Sequence, residues 1–381
     1  MDSRDLKIGL ALSGGGVRAA AYHAGVLKAL AEHNLLENVT HNSTVSGGSL
    51  FLGLVYHFSN MQWPTSYAYK KDIYPAIKKL LCSTDIQLNS AFRLLKPHNW
   101  KFILSRATIL SESIHEMWGV KATLNDIPNS PTWSINGSTA ETGKRFRFKG
   151  ISAGDYKLGY TLAKEYKLAN AMAMSAAFPV GIGPLFFDAS QHSWEIPKKY
   201  QTSNDACPPA NFKKIHLYDG GVYDNLGIEP LFNIGTQSYK KHSDINFLIV
   251  SDAGAPFCQQ PIPSPFSWKR MNKLLDIIQE QTRALRVRSF VAFLRKNYET
   301  NQNCDGMYLQ IGSNPVTKLA KHMVSPNTQP SYSQWLKAES VQKAAKYRTT
   351  LSKFKEKDFE LISRHGYETF LWNQRAWGPP K

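Results

Sequence analysis

Three glycine-flanked segments hold the side chains best suited to chemistry. Ser46 sits in STVSGGSL (43–50) and Asp219 in YDGGVYDN (218–225). A third segment, LALSGGGVRAAAYHAGVLKAL (10–30), runs a glycine loop straight into a helical pattern. A serine hydroxyl is a weak nucleophile until a base takes its proton, and a carboxylate can be that base. Consecutive backbone N–H groups at a helix N-terminus suit an anion, either a phosphate or the oxyanion that develops during acyl transfer. Together these are the parts of a serine acyl hydrolase.

Each signal also has a plainer reading. Ser46 is followed by Gly47 and Gly48, with Thr44 where the G-x-S-x-G elbow has its first glycine. The same serine would serve as the cap of the following helix. Ser43 and Ser49 are rivals, but neither has small residues at both required offsets. Asp219 before Gly220-Gly221 reads equally as an ordinary turn. At the carboxyl end of a parallel strand it would stand where open α/β sheets hold their ligands. Asp252, in IVSDAG, ends a strand-like run in the same way and competes for the role. Gly14, Gly16 and Ala19 also fit the loose dinucleotide fingerprint, with Glu37 near the distance expected of its acid, though in a polar stretch. None of the 11 histidines stands at a comparable strand-end turn, so a Ser–Asp dyad is preferred to a triad. His23 reads as a packing or surface residue.

The elements around these residues follow from periodicity. Leu6 to Leu12 is an apolar strand, Ala19 to Leu30 has helical spacing, Val39 to Val45 is a second strand and Gly47 to Phe58 a second helix. Such βαβα order predicts an α/β fold of three layers, α/β/α, around a mostly parallel central sheet. Later strands are expected at 146–152, 215–219, 246–252 and 307–312, and a helix from Leu168 to Phe178 ended by Pro179. Residues 125–145 are turn-rich and polar, hence loop, and 190–212 likewise. Residues 60–140 are irregular, with Trp63, Tyr67, Tyr69, Tyr74, Phe92, Trp100 and Phe102 among basic residues, and read as an insertion or cap over the sheet. Residues 260–381 read as a largely helical extension. With no repeat, low-complexity tract or clean linker, the expectation is one domain over 1–381, its core at 6–255.

The 381 residues carry 46 Lys+Arg against 29 Asp+Glu, a net charge of +17 that favours anionic partners or simply a solvated basic surface. No apolar run reaches the ~18 residues of a spanning helix, and the N-terminus lacks a signal-peptide pattern. Cys82, Cys207, Cys258 and Cys304 are scattered without a CxxC pair, implying neither a disulfide frame nor a zinc site. A cytoplasmic protein touching membranes only peripherally is the expectation. The segment 268–296 repeats apolar positions at Met271, Leu274, Leu275, Ile278 and Leu285 among basic residues. The default is that it packs this face on the core; the alternative is a helix lying on an acidic membrane.

On these three segments the chain resembles the patatin-like phospholipases, whose fold is similar to that of cytosolic phospholipase A2. GGGVRA (14–19) looks like the family's oxyanion loop, STVSGG (43–48) its nucleophile elbow with Thr44 in place of glycine, and DGG (219–221) its D-G-[GA] motif. AMAMSAAFPV (171–180) resembles the small-residue helix that frames the site. The resemblance covers about residues 6–255. It implies that Ser46 attacks an ester carbonyl with Asp219 as general base, that the loop of Gly14, Gly15 and Gly16, aided by Arg18, holds the oxyanion, and that Thr44, Gly47 and Gly48 shape the elbow. No metal or cofactor is implied. The implied substrate is a phospholipid or lysophospholipid; the basic charge adds an acidic membrane surface as the expected partner, no nucleic acid is expected, and the need for an unknown activator stays open. Two other classes stay open: a nucleotide-binding α/β protein using Gly14–Gly16, and a catalytically silent basic membrane- or nucleic-acid-binding module.

Overall fold

Strand β1 (Ile8–Leu12) is apolar or glycine at every position and buried throughout, as a strand covered on both faces must be. In the computed structural model of the chain it lies between β2 (Val39–Val45) and β11 (Phe247–Asp252), parallel to both. The structure describes residues 6–94, 105–179, 181–197, 212–257, 259–264, 266–301, 305–315 and 335–377. Trp100, Phe102, Cys207, Cys258, Cys304 and most of the loop expected at 190–212 lie outside the described residues.

The sheet runs in the order β12-β11-β1-β2-β3-β4-β5-β6. Its first five strands, from β12 (Gly306–Gln310) to β3 (Thr132–Thr139), are mutually parallel. Beyond β3 it turns antiparallel through β4 (Arg145–Lys149), β5 (Ser152–Asp155) and β6 (Gly159–Leu162). The three-layer α/β/α architecture is thus as expected, on a sheet that is mixed rather than parallel throughout.

Two apolar layers sandwich it, and successive residues of β11 alternate between them. Phe247 and Ile249 join Leu10 and Leu12 under the helices α1 (Gly16–Glu32) and α2 (Gly47–Phe58), the cap helices α3 (Tyr74–Ser83), α4 (Ile86–Leu94) and α5 (Arg106–Met117), and α6 (Leu168–Ser175). Leu248 and Val250 join Ala11 on the other face, beneath Phe290 and Phe293 of the long helix α7 (Trp268–Asn301) and Phe232 of the hairpin β9 (Phe232–Asn233) and β10 (Ser238–Tyr239). Each such buried side chain contributes about 1.5–3 kcal/mol. Two late helices, α8 (Ala338–Ala345) and α9 (Glu356–Trp377), return to the first layer, where α9 crosses α1 so closely that a Cβ on Gly25 would meet the Ser363 carbonyl oxygen at 1.8 Å.

Two expectations are corrected. Residues 132–139, read as loop for their polarity, form β3 near the centre of the sheet, almost wholly buried. Its Ser134, Asn136, Ser138 and Thr139 are buried. Asn136, Ser138 and Thr139 make side-chain hydrogen bonds, which removes the usual penalty for burying polar groups. The other concerns the strand of Asp219, β8 (Lys214–Asp219), which is antiparallel to β3, not parallel. It also pairs with β7 (Leu185–Asp188).

Candidate active site

β3 outruns β2, and this brings the two distant motifs together. β2 pairs with β3 as far as Val45 opposite Asn136; from the next residue, Gly137, β8 takes over the same edge, with Asp219 opposite Gly137. Ser46, following Val45, and Asp219 thus meet at the same row of the sheet and line the same cavity.

Ser46 stands between β2 and α2 with φ 51° and ψ −120°, outside the regions a side-chain-bearing residue normally occupies. Such a conformation costs about 1–3 kcal/mol and persists only where surroundings impose it. The surroundings do so here. The Ser46 N–H donates to both the carbonyl (3.1 Å) and Oγ (3.0 Å) of Ser175 at the end of α6. Gly47 lies so close to the glycine loop that a Cβ there would fall 2.1 Å from the Gly16 carbonyl oxygen. Thr44, where a glycine was expected, is fully buried and satisfied: its Oγ1 accepts from the Trp133 indole N–H at 2.9 Å and pairs with Ser49 Oγ at 2.8 Å. Ser49 continues to Ser175 Oγ (2.8 Å), which donates to the Asn136 carbonyl (2.7 Å). This chain of bonds under the elbow was not read from the sequence. Its only local signal is the run of small residues around Ser175.

Asp219 is 4% exposed. Its Oδ1 accepts the Gly221 N–H at 2.7 Å, its own N–H donates to the Ala177 carbonyl, and its carbonyl accepts from Ser138 Oγ. Burial pushes its carboxyl up to about 7, with the Gly221 N–H and the neighbouring Ser46 hydroxyl pulling the other way. A base poised near neutrality is what proton transfer at physiological pH favours.

The glycine loop faces this pair. Gly14 N–H is taken by the Asn225 carbonyl (3.0 Å) and Val17 N–H by the Thr350 carbonyl (2.9 Å). Between them, the N–H groups of Gly15 and Gly16 have no protein acceptor among the described residues. Arg18 is buried and spends its donors on the loop's supports: Ala253 carbonyl (3.0 and 3.2 Å), Tyr347 carbonyl (2.7 Å) and Thr349 Oγ1 (3.0 Å). Desolvation lowers its pKa to about 10, so it stays charged at neutral pH. His23, fully buried, bonds Ser251 Oγ at 2.8 Å and the Ser13 carbonyl at 3.0 Å. Burial holds its pKa near 4, so it is neutral and its Nε2–H must donate to that carbonyl.

The competing residues are committed elsewhere. Asp252 is fully buried against Arg283 of α7, at 2.7–2.8 Å, and also takes the Tyr308 hydroxyl. Ser43 donates to the Gly227 carbonyl, and Ser49 belongs to the elbow network. Glu37 accepts the Ser66 N–H and hydroxyl at 2.6 Å, so the acid required of a dinucleotide site is used in holding the chain before α3.

Ser46, Asp219, Gly14–Gly16 and Arg18 line one cavity of about 770 Å³. Asn225, in the turn after Asp219, lines it too and was not singled out from the sequence. Its walls come from α4 and α5, the 254–257 segment, α7 and residues 349–351. Among the described residues no group of three or more His, Cys, Asp or Glu side chains is arranged to hold a metal ion.

A serine at a strained strand-to-helix turn, a buried carboxyl beside it and two N–H groups without a protein acceptor among the described residues thus converge on one cavity of the α/β/α sheet. The family model for patatin-like phospholipases matches residues 10–232, a span that includes all three motifs, and the chain belongs to that family. Among solved structures, human GIVD cytosolic phospholipase A2 matches with a TM-score of 0.56 at 14% identity, over 98% of this chain and 60% of that one. The same human protein in complex with methyl gamma-linolenyl fluorophosphonate inhibitor and terbium chloride gives 0.51 at 14%, over 99% and 59%. The likeness is one of fold, and this chain spans about 60% of the human protein's length. No curated protein matches the chain.

Proposed function

We propose that this protein is a lipid acyl hydrolase that cleaves carboxylic esters of phospholipids or lysophospholipids through an acyl-enzyme on Ser46, with Asp219 as general base. The observation that carries this reading is the juxtaposition of Ser46, at a strained strand-to-helix turn, with the buried Asp219 carboxyl in one cavity, beside two N–H groups without a protein acceptor among the described residues. Ser46 Oγ attacks the ester carbon as its proton passes to Asp219, and the carbonyl electron pair moves onto the oxygen, stabilised by the Gly15 and Gly16 N–H groups. Collapse expels the alcohol of the lipid, which leaves with the proton from Asp219. Water then adds to the acyl carbon, giving its proton to Asp219, and collapse frees the fatty acid as Ser46 Oγ recovers a proton. Every step uses groups of this chain. Arg18 acts as a positioning residue, holding the loop by its carbonyl contacts, and Gly14 braces Asn225. Membership of the patatin-like family and the acyl-chain-sized cavity favour a lipid substrate.

Two measurements test the reading. A fluorophosphonate should add one equivalent to the native chain by intact mass and none to Ser46→Ala. Fatty-acid release from mixed phospholipid and lysophospholipid vesicles should fall by ~10³ or more in Ser46→Ala and Asp219→Ala alike. Labelling of Ser46→Ala, or turnover surviving in either variant, would overturn the dyad.

A further inference from the structure

Helix α7 reverses the pattern of a surface helix. Its apolar residues were expected to pack on the core, and Phe290 and Phe293 in its second half do. In the first half Met271, Leu274, Ile278 and Leu285 are instead 48–59% exposed. At about 100° per residue these four fall within an arc of roughly 60°. On roughly the opposite side lie Asn272, Asp276 and Arg283, which line the cavity of Ser46 and Asp219. The polar face looks into the active-site cavity and the apolar stripe away from the protein body.

The other wall repeats the inversion. Gln87, Ser90 and Ala91 of α4 line the cavity, whereas Leu88 and Phe92, one turn apart, are more than half exposed. Between the cavity lip and α7, Phe257, Ile262 and Phe266 are also exposed, Phe266 fully. Two helices and a connecting segment bordering one cavity thus all turn their apolar side chains outward. An apolar rim of this kind around one cavity marks a surface that is covered in use.

Charge selects what covers it. Arg270, Arg288 and Arg295 fall on one flank of the α7 stripe, and Glu299, near the helix end, is the sole acid on that side. An apolar stripe edged by arginines suits the boundary between anionic headgroups and acyl chains, whereas a second copy would oppose like charges. No helix among the described residues is long and apolar enough to cross a membrane, which leaves α7 to lie in the interface plane. The geometry points to a docking face for an anionic phospholipid bilayer, formed by the outer side of α7 with Phe257, Ile262 and Phe266 and with Leu88 and Phe92 of α4. Seated there, the protein holds its cavity at the depth of the ester bonds. This builds on the reading of the cavity as a lipid-acyl site, but its binding arm needs no turnover.

The test is flotation with vesicles of phosphatidylcholine containing 30% phosphatidylserine, and of phosphatidylcholine alone, for the full chain and two variants. One is Leu274→Asp with Ile278→Asp; the other is Arg270→Glu with Arg288→Glu. None of these four residues lines the cavity. Both variants should bind the anionic vesicles at least tenfold more weakly and hydrolyse vesicle lipid correspondingly more slowly. Hydrolysis of a soluble short-chain ester and the thermal unfolding midpoint should match the native chain. Unchanged vesicle binding in the apolar variant would overturn the proposal, as would equal binding of the native chain to both vesicle types. So would a native dimer that the apolar variant converts to monomer with vesicle binding intact. A native chain that binds vesicles but hydrolyses no ester refutes the hydrolase reading and leaves the docking face standing.

Discussion

Asp219→Asn removes the proton acceptor of the proposed reaction and, with it, the cost of burying a charge. The native carboxyl is pushed up to about 7 by burial, against about 3.9 in an unfolded chain. Because the folded value is the higher, folding favours the neutral form. The contribution is complete below pH ~4 and is lost as pH rises to ~7. Between pH 5 and pH 8 the native protein therefore loses roughly 2–3 kcal/mol, two pH units at about 1.4 kcal/mol each. The amide carries no charge and its oxygen can still accept the Gly221 N–H. The variant should thus unfold at higher denaturant concentration than the native chain at pH 8, with the gap shrinking by most of that amount at pH 5. Its ester hydrolysis should fall by ~10³ or more. Native turnover should rise as pH climbs through about 7 and level off by pH 8. A variant less stable than native at pH 8, or a stability gap equal at both pH values, would refute the burial argument. A flat native rate profile between pH 6 and 8 would refute the base assignment.

Other changes separate the parts of the site. Ser46→Gly should abolish turnover yet raise stability by about 1 kcal/mol in denaturant titration, since glycine tolerates the elbow's positive φ. Gly47→Ala drives a Cβ to within 2.1 Å of the Gly16 carbonyl; kcat should fall at least ~10²-fold as the oxyanion loop is displaced, seen in soluble-ester kinetics. Asp252→Ala leaves the buried Arg283 with Glu280 as its remaining ion-pair partner among the described residues and should cost about 3 kcal/mol, read by chemical unfolding, with the Ser46 fluorophosphonate adduct still forming.

The parts of the site built from consecutive residues were legible. β1 with its glycine loop, β2 with Ser46, and Asp219 before its glycines each announce themselves in under ten residues, because a turn, a cap and a strand end are local structures. What places them together is not local. Asp219 reaches Ser46 only because β3 outruns β2, and β3 was hidden by polar residues that pay their way through bonds to partners far along the chain. Asp252 competes with Asp219 by sequence, and only its ion pair with Arg283, 31 residues further on, commits it elsewhere. The stripe on α7 was read correctly as apolar and periodic, but periodicity does not say which side faces the protein.

The Gly14–Gly16 loop and its last support lie 329 residues apart, from Arg18 to Tyr347. Val17 and Arg18 are held by Tyr347, Thr349 and Thr350, and α1 is clasped by α9. During synthesis, Ser46 and Asp219 are therefore made well before the glycine loop beside them can be locked. A nascent chain that has emerged only as far as α7 carries Ser46 and Asp219 without the clamp on the donors between Gly14 and Val17. The order of translation thus leaves the proposed site without its clamp until residues 347–350 have left the ribosome.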